Sequence, residues 1–364
     1  MTSLIDAELL RQHVRAVFLA AGTHEEVAGA VARVLVEGDL LGYHTHGVLL
    51  AEQYVADLRQ GRAAGHALQL PELSTSSPVA AVDCRHVLGP YLVEKALAAT
   101  AATARAGGVG AVALAQSHHI GCLAAYFSPL DDQDLISVIM SSNPARASVL
   151  PHGGLEPVIT PNPIAVRIPT GTVPIILDIS TSTVTNGTVA RARKLGGRLP
   201  FPVLVDPDGT LTDDPTDVLT HEQGGILPLG GLELGYKGFA LGLLVEALTS
   251  GLAGKGRRQR PEGLGASVFV MSLGADGFGG ADALVEEMQH LADTCLASTP
   301  RAGSESVRLP GSASLSRKQA RSRDGIPLPA DALDALAAAS AAVGTVLDVS
   351  SLQVAGPPAG SSPP

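Results

Sequence analysis

Two short stretches of this chain set a histidine beside a hydroxyl and a glycine. The first runs from Gly38 to Gly61, GDLLGYHTHGVLLAEQYVADLRQG. It holds Thr45, His46 and Gly47 in a row, with Tyr54 eight residues after His46. The second is Ser117-His118-His119-Ile120-Gly121. Imidazole has an ordinary pKa near neutrality, so it can give or take a proton at working pH. Two such clusters point to acid–base catalysis. Plainer roles stand beside that one: Thr45 also fits the N-cap of a following helix, and His119 a capped histidine opening a helix near Cys122. If residues 118–119 are extended, the two rings point to opposite faces and only one serves a given site.

The elements that must hold these residues follow from periodicity. Leu9, Leu10, Val14, Val17, Phe18 and Ala21 recur at helical spacing, and Gly22 ends that helix. Thr23-His24-Glu25-Glu26 has the form of a capping box, and Val27, Ala30, Val31, Val34 and Leu35 make the buried stripe of a second helix. A third helix is expected over Val48 to Arg59, ended by Gly61. Beyond residue 78 short apolar runs read as strands: 79–82, 109–114, 135–140, 164–168, 173–179 and 268–271. Helices are expected at 94–105, 236–252, 283–297 and 330–342. The fold class is therefore α/β, or mixed α+β. Residues 355–364 form a Pro/Gly/Ser tail expected to be disordered.

Composition excludes several functions. The chain has 364 residues, 45% hydrophobic and 16% charged, which suits a globular protein of about two domains. A net charge of −10 argues against a nucleic-acid partner. The one basic run, Lys255 to Arg260, reads as a solvated loop. Cys84, Cys122 and Cys295 form no paired spacing, so neither a disulfide framework nor a metal site is expected, and a cytoplasmic location fits. The amphipathic N-terminus does not read as a signal peptide. No apolar run reaches the ~18 residues of a membrane helix. A GxGxxG between strand and helix is missing, as is a P-loop, so any dinucleotide needs a different cradle.

Taken in order, these segments resemble the malate/L-lactate dehydrogenase-like family of NAD(P)-dependent oxidoreductases. Gly38 to Gly61 resembles A-D-L-x-G-x-x-S-H-G-V and its helix. Gln116 to Gly121 resembles N-S-x-H-F-G. Pro151 to Gly154 with Asn162 to Ala165 resembles P-x-G-G and T-N-P-I-A, and Leu177 to Ser182 resembles L-D-M-A-T-S. Leu227 to Gly231 with Tyr236 to Gly238 resembles L-P-L-G-G-x-K-G-Y-G-L. Arg308 to Gly311 with Gly325 to Leu328 resembles R-x-P-G-E and G-I-P-L.

The resemblance covers about residues 5 to 345. It implies a non-Rossmann NAD(P)-binding domain at 73–282 and a helical domain built from both chain ends, 1–72 and 283–350. It also implies a homodimer, a small-molecule substrate, and NADH or NADPH as cofactor. His119 falls on the family's proton donor/acceptor. His46 and Thr45 match its Ser-His pair beside the substrate, and Tyr54 matches a substrate-contacting tyrosine. Cofactor contacts fall on Asn143, Asp178, Ile179, Ser180, Gly231, Tyr236, Lys237 and Gly238. Arg191, Arg193 and Arg317 are candidate cations for a 2′-phosphate.

The pattern breaks at Leu50, where family members commonly carry the arginine that holds the substrate carboxylate. Leucine cannot replace it. Other departures are Thr188 for lysine, Pro161 for threonine, Ser312 for glutamate, and extra residues at 232–235. Three readings remain open. One is a ketone or imine reductase with an unusual substrate. Another is a standard 2-hydroxy-acid dehydrogenase with a relocated carboxylate binder. The third is a scaffold that has lost the redox cofactor.

Overall fold

A computed structural model describes residues 4–128, 134–216, 218 and 222–354. The expected disordered tail at 355–364 lies outside them. The chain divides into two compact units, Met1–Ala67 with Ala313–Pro364, and Leu68–Ser312.

The first unit is helical and discontinuous. Helix α1 (Ala7–Ala20) starts at Asp6, whose carboxylate accepts from the amides of Glu8 and Leu9 at 2.9 Å each. It buries Leu10, Val14, Val17 and Phe18 against α2 (Glu25–Leu41). The expected capping box does not form. His24 is the N-cap and its Nδ1 accepts from the Glu26 amide at 3.3 Å, while the Thr23 hydroxyl donates back to Phe18 O at 2.9 Å. Helix α3 (Ala51–Arg59) is shorter than expected, because residues 44–46 and 48–50 form two 3₁₀ turns instead.

From the other chain end come α8 (Ser312–Asp324) and α9 (Ala330–Ala342), and α9 packs on α3. Helix α8 has almost no apolar residues, so periodicity could not find it. It is held by polar links: Lys318 to Glu37 at 2.6 Å, Arg317 to Leu41 O at 3.0 Å, and Arg321 to Asp39 O. A two-stranded ribbon of β1 (Leu4–Ile5) and β11 (Ile326–Pro327) ties the ends together.

The second unit is built on a six-stranded sheet. Its strands are β2 (Val79–Asp83), β3 (Val109–His118), β4 (Leu135–Ser142), β5 (Ile164–Ile168), β6 (Ile175–Ile179) and β10 (Gly265–Gly274), in the order β2-β3-β10-β4-β5-β6. Only β2 and β3 are parallel. This antiparallel bias is unlike a doubly wound dinucleotide fold.

The central strands are buried on both faces and carry serines facing each covering helix. On one side Thr100 of α4 (Gly89–Gly107) meets Ser272 at 3.0 Å. On the other, Ser142 meets Thr249 at 2.8 Å, in the π-helical turn Ala247–Gly251 that follows α6 (Gly231–Glu246). Near its end β3 bulges: Ala266 opposes Ser117 but Val268 opposes Leu114, and Gln116 takes φ +53°. A bulge re-aims the residues beyond it, and here those are His118 and His119.

Smaller elements complete this unit: α5 (Asn186–Lys194) and a sheet of β7 (Leu204–Val205), β8 (Leu211–Thr212) and β9 (Gly225–Ile226). The unit extends to Ser312, not to residue 282. Helix α7 (Ala281–Leu296) therefore belongs with the sheet, where Gln289 accepts from Thr172 at 3.1 Å. Pro310 O also accepts from the Ile176 amide at 3.3 Å. Helical periodicity says that a segment is a helix, not which core it joins.

Candidate active site

In the first unit one buried carboxylate shapes the His46 turn. Asp39 on α2 is fully buried. Its Oδ2 accepts from the Val48 amide at 2.8 Å, and its Oδ1 lies 2.8 Å from His44 Nδ1. Burial pushes Asp39 above the usual carboxylate range, against the pull of these two hydrogen bonds. A side chain at Gly47 would meet this carboxylate at 2.3 Å, so the turn needs glycine for space.

Between these anchors Thr45 is not a helix cap. Its hydroxyl lies 2.9 Å from His46 Nδ1 and orients that ring. Desolvation holds His46 below the ordinary imidazole value, favouring the neutral ring. Leu50 is half-buried at the N-cap of α3, and Tyr54 is fully buried, its ring edge-on to Phe18 at 6.4 Å. Thr45, His46, Leu50 and Tyr54 thus belong to one turn-and-helix element. Arg317 is not a phosphate cation there, since it holds Leu41 O and Ser314 Oγ.

In the second unit His118 ends β3 and is buried, while His119 just beyond it is half-buried. The Gly121 amide donates to His119 Nδ1 at 3.2 Å, so the neutral ring carries its proton on Nε2. No α-helix opens at Cys122; a 3₁₀ turn follows at 124–126. Gly89 at the start of α4 lies against this backbone, where a Cβ would meet His118 O at 2.5 Å and His119 O at 2.6 Å.

The residues expected at the cofactor converge around α6. The Asn143 amide donates to Thr160 Oγ1 at 3.1 Å, and Thr160 donates to Asn162 Oδ1 at 2.7 Å. Asn162 Nδ2 then reaches Gly242 O at 3.1 Å and Glu246 at 3.0 Å, both on α6. Thr181, just after Ile179 and Ser180, accepts from the Leu229 amide at 2.9 Å, immediately before α6 begins. Asp178 turns one oxygen the other way, accepting from the Ala124 amide at 2.9 Å.

The N-terminus of α6 has no side-chain cap. Gly230 and Gly231 sit at φ +102° and +67°, and nothing lies within 4 Å of a Cβ built at Gly231. The Gly231 amide is taken by Pro228 O at 2.9 Å, and a helix start without a side-chain cap suits a phosphate. Tyr236 and Lys237 are exposed on the first turns, with Lys237 Nζ 5.8 Å from the Tyr236 ring centre. Gly238 packs on the Leu229 backbone, where a Cβ would stand 2.3 Å from its nitrogen. These residues fit a dinucleotide.

Two polar residues escaped the sequence reading. Asp39 was signalled only as a charge inside an apolar helix. Arg257, expected in a solvated loop, instead pairs with Glu246 at 2.7 Å and donates to Asn143 O at 3.1 Å. Lys255 of the same run pairs with Asp83 at 2.7 Å.

The mostly antiparallel sheet of the second unit and the discontinuous helical first unit set this chain apart from doubly wound dinucleotide folds. The malate/L-lactate dehydrogenase profile matches residues 5–337, and the chain belongs to that family of NAD(P)-dependent oxidoreductases. It is 33% identical over 250 residues to the malate/(S)-sulfolactate dehydrogenase of Methanothermus fervidus, covering 68% of this chain and 70% of that one. It is 31% identical over 345 residues to the (2R)-3-sulfolactate dehydrogenase (NADP(+)) of Chromohalobacter salexigens, covering 93% and 97%. The crystal structure of delta1-piperideine-2-carboxylate reductase from Pseudomonas syringae pvar. tomato superimposes with a TM-score of 0.78 at 26% identity, covering 92% of this chain and 99% of that one.

Asp39→Ala strands the buried Val48 amide and the His44 ring. It should lower stability by about 2–4 kcal/mol in urea unfolding. Asp39→Asn keeps an acceptor and should lose less. Equal stability of all three proteins would show that the carboxylate does not shape the turn.

Proposed function

We propose that this enzyme reduces a ketone or imine with NADH or NADPH, with His119 and His46 as its acid/base residues and His119 as the proton donor. The observation that carries this reading is the His119 ring. It is half-buried beyond the bulged end of a central strand, with Nδ1 tied to Gly121 and the proton on Nε2. When bound, the dihydronicotinamide supplies hydride to the carbonyl or imine carbon. His119 acts as the imidazolium, protonated at both ring nitrogens and released from the Gly121 amide: its Nε2 proton faces the oxygen or nitrogen that gains the electron pair, stabilises that charge, and on transfer leaves a neutral ring. Thr45 holds the neutral His46 ring, which suits a hydrogen-bonding rather than a charge-pairing role. Asn143, Ile179, Ser180, Gly231, Tyr236, Lys237 and Gly238 hold the dinucleotide, with Asp178 beside them.

The substrate differs from those of the relatives. Their names include malate, sulfolactate and cyclic imino acids, all carrying a carboxylate. Leu50 offers no cation, and Arg317 and Arg321 are committed to the carbonyls of Leu41 and Asp39. This supports a substrate whose headgroup at Leu50 is apolar. Tyr54, fully buried, acts as packing behind the turn more than as a direct contact.

We further propose a homodimer in a reducing compartment such as the cytoplasm. Leu232, Leu243 and Leu244 on α6 are each about half exposed in the single chain, which supports a second copy covering them. Among the described residues no helix is long and apolar enough to cross a membrane, and the three cysteines are free.

Three outcomes test these proposals. His119→Ala should cut turnover by ~10²–10⁴-fold with the fold intact; unchanged turnover, with His46→Ala abolishing it, reverses the two roles. Wild-type enzyme should reduce pyruvate and oxaloacetate poorly, and Leu50→Arg should improve both; efficient wild-type reduction of either restores the standard dehydrogenase reading. Light scattering should give twice the 37.0 kDa chain mass, and Leu243→Asp with Leu244→Asp should halve it. A wild-type monomer would refute the dimer.

A further inference from the structure

The segment from Ile120 to Phe127 has little regular structure, yet every residue in it is buried. It leaves β3 and reaches β6, with β10, β4 and β5 lying between them in the sheet. Its near end carries His119. There the Gly121 amide holds the ring, and the Tyr126 hydroxyl donates to Ile120 O. Its far end is held by Asp178 on β6. Asp178 Oδ2 accepts from the Ala124 amide at 2.9 Å, and the Cys122 thiol donates to the same oxygen at 3.7 Å.

We infer that Asp178 is a positioning residue, whose carboxylate fixes the 120–127 segment and through it the ring of His119. This rests on the proposed role of His119 and gives Asp178 a task other than touching the cofactor. A half-buried carboxylate held by an amide and a thiol keeps only part of its hydration, so these donors matter to it. Burial pushes Asp178 up to about 6, so near neutrality it is largely ionised and a strong acceptor. Burial also pushes the Cys122 thiol well up, so it stays protonated and remains a donor. An irregular buried segment needs such acceptors, because its own backbone supplies few.

The test uses the full chain. Asp178→Ala and Asp178→Asn are compared with wild type by NADH and NADPH fluorescence titration and by NMR of ring-labelled histidine. Turnover is followed with a panel of ketones and cyclic imines with and without a carboxylate, taking whichever the wild type converts fastest. The His119 resonance is assigned by its loss in His119→Ala. Asp178→Ala should shift that resonance and lower kcat by ~10–10²-fold, the scale of a misplaced reacting group, with nucleotide Kd unchanged. Asp178→Asn, which keeps one acceptor for the Ala124 amide and retains the fold, should recover most of the loss.

A weakened nucleotide Kd with an unmoved His119 resonance would make Asp178 a cofactor ligand and overturn the inference. An unmoved resonance with unchanged kcat would overturn it too. If His119→Ala itself keeps full turnover, the acid/base assignment fails, while the resonance still decides whether Asp178 positions the ring.

Discussion

A backbone amide taken out of water must find an acceptor, and that requirement governs both histidine segments. Neither His46 nor His119 sits within a regular α-helix or strand, where the ladder would supply partners. Each lies in a turn at least partly buried, so acceptors come from side chains elsewhere in the same unit. Asp39 serves the Val48 amide and Asp178 serves the Ala124 amide. Thr160 serves the amide of Asn143 in the same way. The two histidine segments are held by side-chain oxygens that accept from their backbone amides, and rigidity comes from satisfying the backbone.

The surroundings of α6 follow a related economy. Without a glycine-rich strand-to-helix turn, the segment at Thr160 and Asn162 acts as a hinge-pin between Asn143 and α6. Glu246 joins Asn162 to Arg257, which closes back onto Asn143 O. Gly242 lets Ile159 approach α6, where a Cβ would stand 2.5 Å from the Ile159 Cδ1 methyl. In a mostly antiparallel sheet the strand ends do not all point one way, and here side chains tie the loops around α6 together.

Much of this was legible in the sequence, and the failures have physical causes. Apolar periodicity located the six strands of the main sheet and most helices, because burial on one or both faces imposes it. It missed α8, whose anchoring is by arginine and lysine rather than by an apolar stripe. It placed a helix over Val48 to Leu50, where the Asp39 carboxylate captures the Val48 amide and tightens the chain. The capping box at Thr23 looked right by spacing, yet Thr23 is buried and satisfied by Phe18 O. Arg257 was misread because charge in a loop carries no mark of its partner. Residue type singled out His46 and His119, and periodicity gave the helix at 236–252; family resemblance supplied their expected roles, but nothing in the sequence showed their hydrogen-bond partners.

The first unit is made from the two ends of the chain, and this has a consequence during synthesis. Helices α1 to α3 leave the ribosome long before α8 and α9, which follow only after everything from Leu68 to Ser312. Until then Glu37 lacks Lys318, the carbonyls of Leu41 and Asp39 lack their arginines, and the face of α3 that takes α9 is bare. Closing so long a loop delays these contacts, so the sheet unit can mature first. The His46 turn is thus translated early and completed last, and a nascent chain holds an assembled His119 segment before the other histidine is locked in place.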